Sequence, residues 1–137
     1  MTTKTFPTID VIATHSGVML TQGQFPAICA VADHVAGQGL MTHQMATEQP
    51  AIAAILERQH PWLAGLSVPT MSSVKDSSLT EGEQNARYAA AVNRFAAKVF
   101  DEHGATLDIT TDPSFPALGP LDGLPENSLI VTPRDIR

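Results

Sequence analysis

The stretch "LTEGEQNARYAAAVNRFAAKVFDEHG", Leu79 to Gly104, constrains the fold of this chain more than any other. Thr80 and Glu83 form a T-x-x-E capping box, in which each side chain satisfies a backbone N–H at the helix start. Acidic residues crowd the first turn, where the helix dipole favours them. Tyr88, Val92, Phe95 and Val99 then recur at helical spacing, supported by Ala91 and Ala96, and Gly104 follows His103 as a stop. The spacing predicts a helix over Thr80–His103 with one apolar stripe, so the rest of the chain has to supply the surface that covers it.

Two further helices are expected. In Phe25–Ala36 the residues Phe25, Ile28, Cys29, Ala32 and Val35 make one stripe, Pro26 suits the first turn, and Gly37 and Gly39 end the run. In Thr47–Gln59, Thr47 reads as the N-cap, Pro50 falls in the first turn, and Ile52, Ile55 and Leu56 form the buried face. Pro61 pushes His60 out of the α region, after which Trp62 and Leu63 fold back over the helix end. The segment from Ile9 to Leu20 reads as strand, Ser16-Gly17 turn and strand, with a short helix over Ile9–Thr14 as the competing reading. "TLDI" and "SLIVTP" are two more candidate strands, and the Ser-rich stretch 67–78 is a surface loop. The expected architecture is α+β: a small single domain spanning 1–137, with about three main helices and a few short strands.

Composition supports a packed core and narrows the partners. The 137 residues are 43% hydrophobic and 16% charged, which is the balance of a folded chain and not of a disordered one. Net charge is −6 with eight Lys and Arg, and no basic cluster exists that could neutralise phosphates, so nucleic acid is not an expected partner. No apolar run approaches the roughly 18 residues that cross a bilayer. The N-terminus lacks a signal-peptide pattern, so a soluble protein of the cytoplasm is expected, with no membrane association. The lone Cys29 sits in an apolar run and reads as a small buried hydrophobe.

Five histidines invite a metal reading, but no H-E-x-x-H, H-x-H or Cys pair is present, so neither metal nor cofactor is expected. His34, His60 and His103 lie at helix C-terminal ends, where the dipole accounts for them. "THSG" and "MTHQ" are less easily explained. Should the two segments meet in space, Thr14, His15, Ser16, Thr42, His43 and Gln44 would make a polar cluster able to hold a phosphate or carboxylate at a helix N-terminus. The bland alternative is that they close turns through loop carbonyls. Ser16 is in no nucleophile elbow, and no catalytic residue is assigned.

The order "THSGVML", "GQGLMTHQM" and "QHPWL" resembles a group of small uncharacterised proteins encoded by phages and prophages, which carry a Gly-x-x-Leu-x-Thr-His-Gln-like segment. Gly39 to Gln44 matches that segment, whereas Thr14-His15-Ser16-Gly17 departs from the family's Thr-Thr-Gly-like turn. The resemblance implies a mobile-element origin, no known activity and residence in the host cell cytoplasm. The expected function is an accessory protein that acts by binding a host protein, in its sharpest form inhibiting a host defence component. The alternative is a small-ligand binder or hydrolase, with an anionic or nucleotide-like ligand on the Thr-His segments. Self-association as a homodimer through Ala89, Ala90 and Ala97 is also expected, since small residues let helices approach closely.

Overall fold

The computed structural model describes residues 2–21 and 23–119. In chain order the elements are β1 (Thr3–Pro7), α1 (Thr8–Ser16), α2 (Phe25–Ala36), α3 (Thr42–Gln59), short 3-10 turns at Pro61–Gly65 and Ser72–Val74, α4 (Glu81–His103) and β2 (Thr106–Thr110). β1 and β2 pair antiparallel, Thr3 opposite Thr110 and Pro7 opposite Thr106. The class is therefore α+β, with four helices against a two-stranded sheet.

Two expectations are corrected at the N-terminus. Ile9–Thr14 belongs to a helix, the competing reading, and Val18–Leu20 is irregular chain. Val11, Ile12 and Ala13 are all fully buried, and so are Thr8 and Thr14, so α1 is covered nearly all round. Such a helix has no solvent-facing side to impose a 3.6-residue period, and a run of β-branched residues then imitates a strand. The strand lies one step earlier, in a segment that reads as polar. Thr3, Thr5, Asp108 and Thr110 line its outer face, with hydroxyls bridging Thr3 to Thr110 at 2.9 Å and Thr5 to Asp108 at 2.6 Å. Phe6, Leu107 and Ile109 point inward to the core. The "SLIVTP" strand falls outside the described residues.

α2 has the expected bounds, but its buried face is Val31, Ala32, Val35 and Ala36, and Phe25 stays 43% exposed. α3 starts at Thr42, so Thr47 and Pro50 lie inside it. Thr47 is not the N-cap: its hydroxyl donates to the His43 carbonyl one turn back. The true start is held by Gln44, whose Oε1 accepts the Met41 N–H at 2.8 Å. An interior proline costs a helix about 3 kcal/mol, and tertiary contacts have to offset it. They are available, because α3 packs on α1, α2 and β2 and buries Ile52, Ile55 and Leu56.

Glutamine does much of the joining. Each glutamine among the described residues spends its amide on backbone groups of another segment or of its own helix start. Gln24 accepts the Leu20 and Thr21 N–H groups, and Gln49 donates to the Thr14 and His15 carbonyls. Gln38 holds Pro116 and Leu118, Gln44 reaches the Gly119 carbonyl, and Gln84 ties Val74 and Asp76 to α4. Gln59 grips both the N–H and the carbonyl of Thr110 at 2.8 Å. An amide supplies one donor and one acceptor in the spacing of a peptide unit, so it substitutes for a neighbouring strand. With His60 Nε2 donating to the Asp108 carbonyl at 2.9 Å, it caps the open edge of β2.

α4 matches its expected bounds, and both capping-box bonds are present, Glu83 N–H to Thr80 Oγ1 and Thr80 N–H to Glu83 Oε1. It buries only Val92 and Val99. At its C-terminal end the Trp62 and His103 rings stack at 3.7 Å, with 5° between their planes. The loop after Leu66 runs over its N-terminal half, and Arg87 Nε donates to the Val74 carbonyl. No helix among the described residues is long and apolar enough to cross a membrane.

Candidate functional site

The two Thr-His segments occupy different places on α3. Thr14, His15 and Ser16 end α1 and abut the middle and the last turn of α3: Gln49 donates to the carbonyls of Thr14 and His15, and His15 Nε2 lies 2.9 Å from Glu57 Oε1. The Thr14 hydroxyl donates to Asp10 O within its own helix, and Ser16 Oγ accepts the Val18 N–H at the turn. Thr42, His43 and Gln44 form the first turn of α3, about two turns before Gln49 and about four before Glu57 at 3.6 residues per turn. Thr42 is exposed and His43 half-buried, while Gln44 is buried and bonds Met41 and Gly119. Thr14, His15, Ser16 and Gln44 thus have polar atoms engaged in closing turns and joining segments.

The remaining histidines have similar work. His34 Nε2 donates to the Ile109 carbonyl at 2.8 Å, with its ring tilted against Phe6. His60 and His103 brace β2 and Trp62, as described above. Position at a helix end was therefore legible for all three, but the bonds that fix their rings reach across the fold and are invisible to local pattern. Among the described residues no three His, Cys, Asp or Glu side chains gather into a metal site. Cys29 is half-buried, and burial, reinforced by the Asp33 carboxylate, raises its thiol above the ordinary range, which disfavours the nucleophilic thiolate.

A different feature of the surface is better suited to binding. Between α4, the irregular chain after α1 and the loop before Ser72 lies an open groove of about 610 Å³. Its walls are Met19, Leu20, Met71, Ala89, Val92 and the Tyr88 ring, and none of its lining residues is charged. Met19 and Met71 are 49% and 42% exposed. Tyr88 sets the groove's shape: its hydroxyl donates towards the Met19 and Pro69 carbonyls, pinning both loops to the helix. Burial raises the Tyr88 phenol above its usual value, so it stays a neutral donor across the physiological range. Flexible thioethers around an apolar trough make a surface that re-packs around an incoming side chain.

Sequence pattern could not find this site, because its walls come from three separate segments. The available signal was the absence of charge on part of α4, where Ala86, Ala89, Ala90 and Asn93 occupy outward positions that a solvated helix fills with charged residues. No curated protein and no solved structure matches the chain. Residues 6–66 match a family described as a domain of unknown function (DUF7736), a stretch that runs from the end of β1 through α1, α2, α3 and the 3-10 turn after it and stops short of α4.

Proposed function

We propose that this protein acts by binding another protein, with the α4 groove as its docking surface. The observation that carries this reading is an uncharged trough rimmed by two exposed methionines in a protein of net charge −6. Leaving Met19 and Met71 in water forgoes burial worth up to about 1.5–3 kcal/mol for each side chain, and an apolar group entering the groove recovers part of it. Under the resemblance to phage and prophage proteins the partner is a host protein met in the cytoplasm, with a defence component as the sharpest case. The alternative, an anionic ligand on the Thr-His segments, has less support, because Thr14, His15, Ser16 and Gln44 spend polar atoms on the fold.

The test is uptake of the apolar fluorescent dye anilinonaphthalene sulfonate by dilute protein. The native chain is expected to bind it, and Ala89→Glu, which places a carboxylate on an exposed helical position in the groove wall, to lose most of that signal while keeping its helical circular dichroism. Equal dye uptake by the two proteins would end the groove reading.

A further inference from the structure

We infer that Met19 and Met71 are oxidation sites, and that their conversion to sulfoxides by a two-electron oxidant closes the groove to apolar partners; this rests on the groove being a docking surface. Among the described residues Met19, Met41 and Met71 are exposed, and two of these three line the groove. Met45 is half-buried on α3. The two groove thioethers come from separate loops, Met19 from the chain after α1 and Met71 from the stretch before Ser72. The Tyr88 hydroxyl holds both loops against α4 through the Met19 and Pro69 carbonyls. Leu20 and Val92 also line the groove but are only 3% and 4% exposed. The apolar surface offered to solvent is therefore mostly thioether, alanine and the Tyr88 ring. Of these groups, only a thioether gains and loses a polar atom reversibly.

With hydrogen peroxide as the oxidant, a sulfur lone pair attacks one peroxide oxygen, and the O–O bond breaks as the S–O bond forms. The departing hydroxide takes the proton left on the transferred oxygen and leaves as water. Sulfur is oxidised, and peroxide reduced, by two electrons. Peroxide has to reach the sulfur, which puts Met19, Met41 and Met71 ahead of half-buried Met45. Cys29 is a poor competitor, because the reactive form is the thiolate, and burial with the Asp33 carboxylate disfavours it. A sulfoxide at the rim is a strongly polar acceptor, and the lining holds exposed neutral donors for it in Thr21, Asn85 and Asn93. No lining residue is charged, so the two sulfurs decide whether this surface is apolar. An apolar group entering the oxidised groove would strip water from the S–O groups, and that cost removes the gain from burial. Met41 stands at the start of α3 and is no part of the lining, so its oxidation leaves the groove as it was.

The experiment oxidises the folded native chain with dilute hydrogen peroxide and removes the excess with catalase. Peptide masses, dye uptake and circular dichroism are then read on the same sample. Met19, Met41 and Met71 are expected to gain one oxygen atom each before Met45 does. Dye uptake is expected to fall to the level of Ala89→Glu, with the helical circular dichroism retained. Methionine sulfoxide reductases for both sulfoxide epimers are expected to restore it. The double variant Met19→Leu with Met71→Leu should show the same uptake before and after peroxide, whatever value it starts from. Met41→Leu should respond to peroxide as the native chain does. A native chain that takes up no dye ends the groove reading and this inference with it. Uptake that Ala89→Glu abolishes but oxidation of Met19 and Met71 leaves unchanged keeps the groove and ends the switch. The switch is also overturned if Met19 and Met71 oxidise no faster than Met45, if the double variant keeps the peroxide response, or if oxidation costs the helical signal.

Discussion

α3 and α4 are the two long helices among the described residues, and they are held in opposite ways. α4 has strong local signals: a complete capping box, acidic residues in its first turn and good helix formers throughout. Yet among the described residues it buries only Val92 and Val99, and most of its other side chains are exposed. α3 has weak local signals, with an interior proline and a threonine bonded back along its own helix. It is held instead from outside by α1, α2 and β2, and by glutamine amides at its start, middle and end. A helix that stands on its own propensity is free to offer a face to a partner. A helix assembled by its neighbours has no face to spare.

The sharpest way to break this comparison is to remove packing from each helix in turn. Leu56 is fully buried on α3, and Leu56→Ala is expected to cost about 3–5 kcal/mol, the lost transfer energy plus the cavity. Because α3 touches every layer, the loss should appear in a single urea transition that takes α1, α2 and the sheet with it. Val92→Asp sets a carboxylate against the core beneath α4. It should cost less, about 2–3 kcal/mol, because α4 can lift away and solvate the charge sooner than unfold the whole chain. Hydrogen exchange would then show α4 amides losing protection while those of α1 and α3 keep theirs. Uniform loss across all four helices would mean that α4 is as integral as α3.

The same contrast explains what was legible beforehand. α4, α2 and β2 were readable because their start and stop residues and their periods are local. The first turn of α3 was missed because Gln44, not Thr47, closes it, and because packing overrides Pro50. α1 was taken for a strand because burial on all sides erases a helical period, and β1 was missed because its outward face is threonine and its partner lies at the far end of the chain. Of the candidate site, the residue types were visible and their engagement was not. Thr14, His15 and Gln44 look the same in sequence whether they face a ligand or a backbone carbonyl.

Gln59 tests the amide clamps more finely. Its amide nitrogen donates to the Thr110 carbonyl while its oxygen accepts the Thr110 N–H. Gln59→Glu keeps the size and the acceptor but replaces the donor with an oxygen facing a carbonyl, at an expected cost of about 1–3 kcal/mol. The change should be read as faster exchange of the Thr110 amide together with a lower urea midpoint. If β2 is instead held by its pairing with β1 alone, Gln59→Glu will leave both quantities where they were.

The smallest effect is expected at His15, which separates the two candidate sites. Its ring meets Glu57 across the α1–α3 contact, but the glutamate side chain is 42% exposed, so water and salt screen much of the interaction. Loss of such a pair costs about 0–1 kcal/mol, and His15→Ala should also lose the ring's packing at a site where its side chain is only 14% exposed. The groove lies against α4, on other residues, so dye uptake should be unchanged. A ligand site on the Thr-His segments predicts the reverse pattern, nearly native stability with binding abolished. Measuring thermal stability and binding on the same His15→Ala protein therefore assigns this histidine either to the joint between α1 and α3 or to a pocket, and the geometry assigns it to the joint.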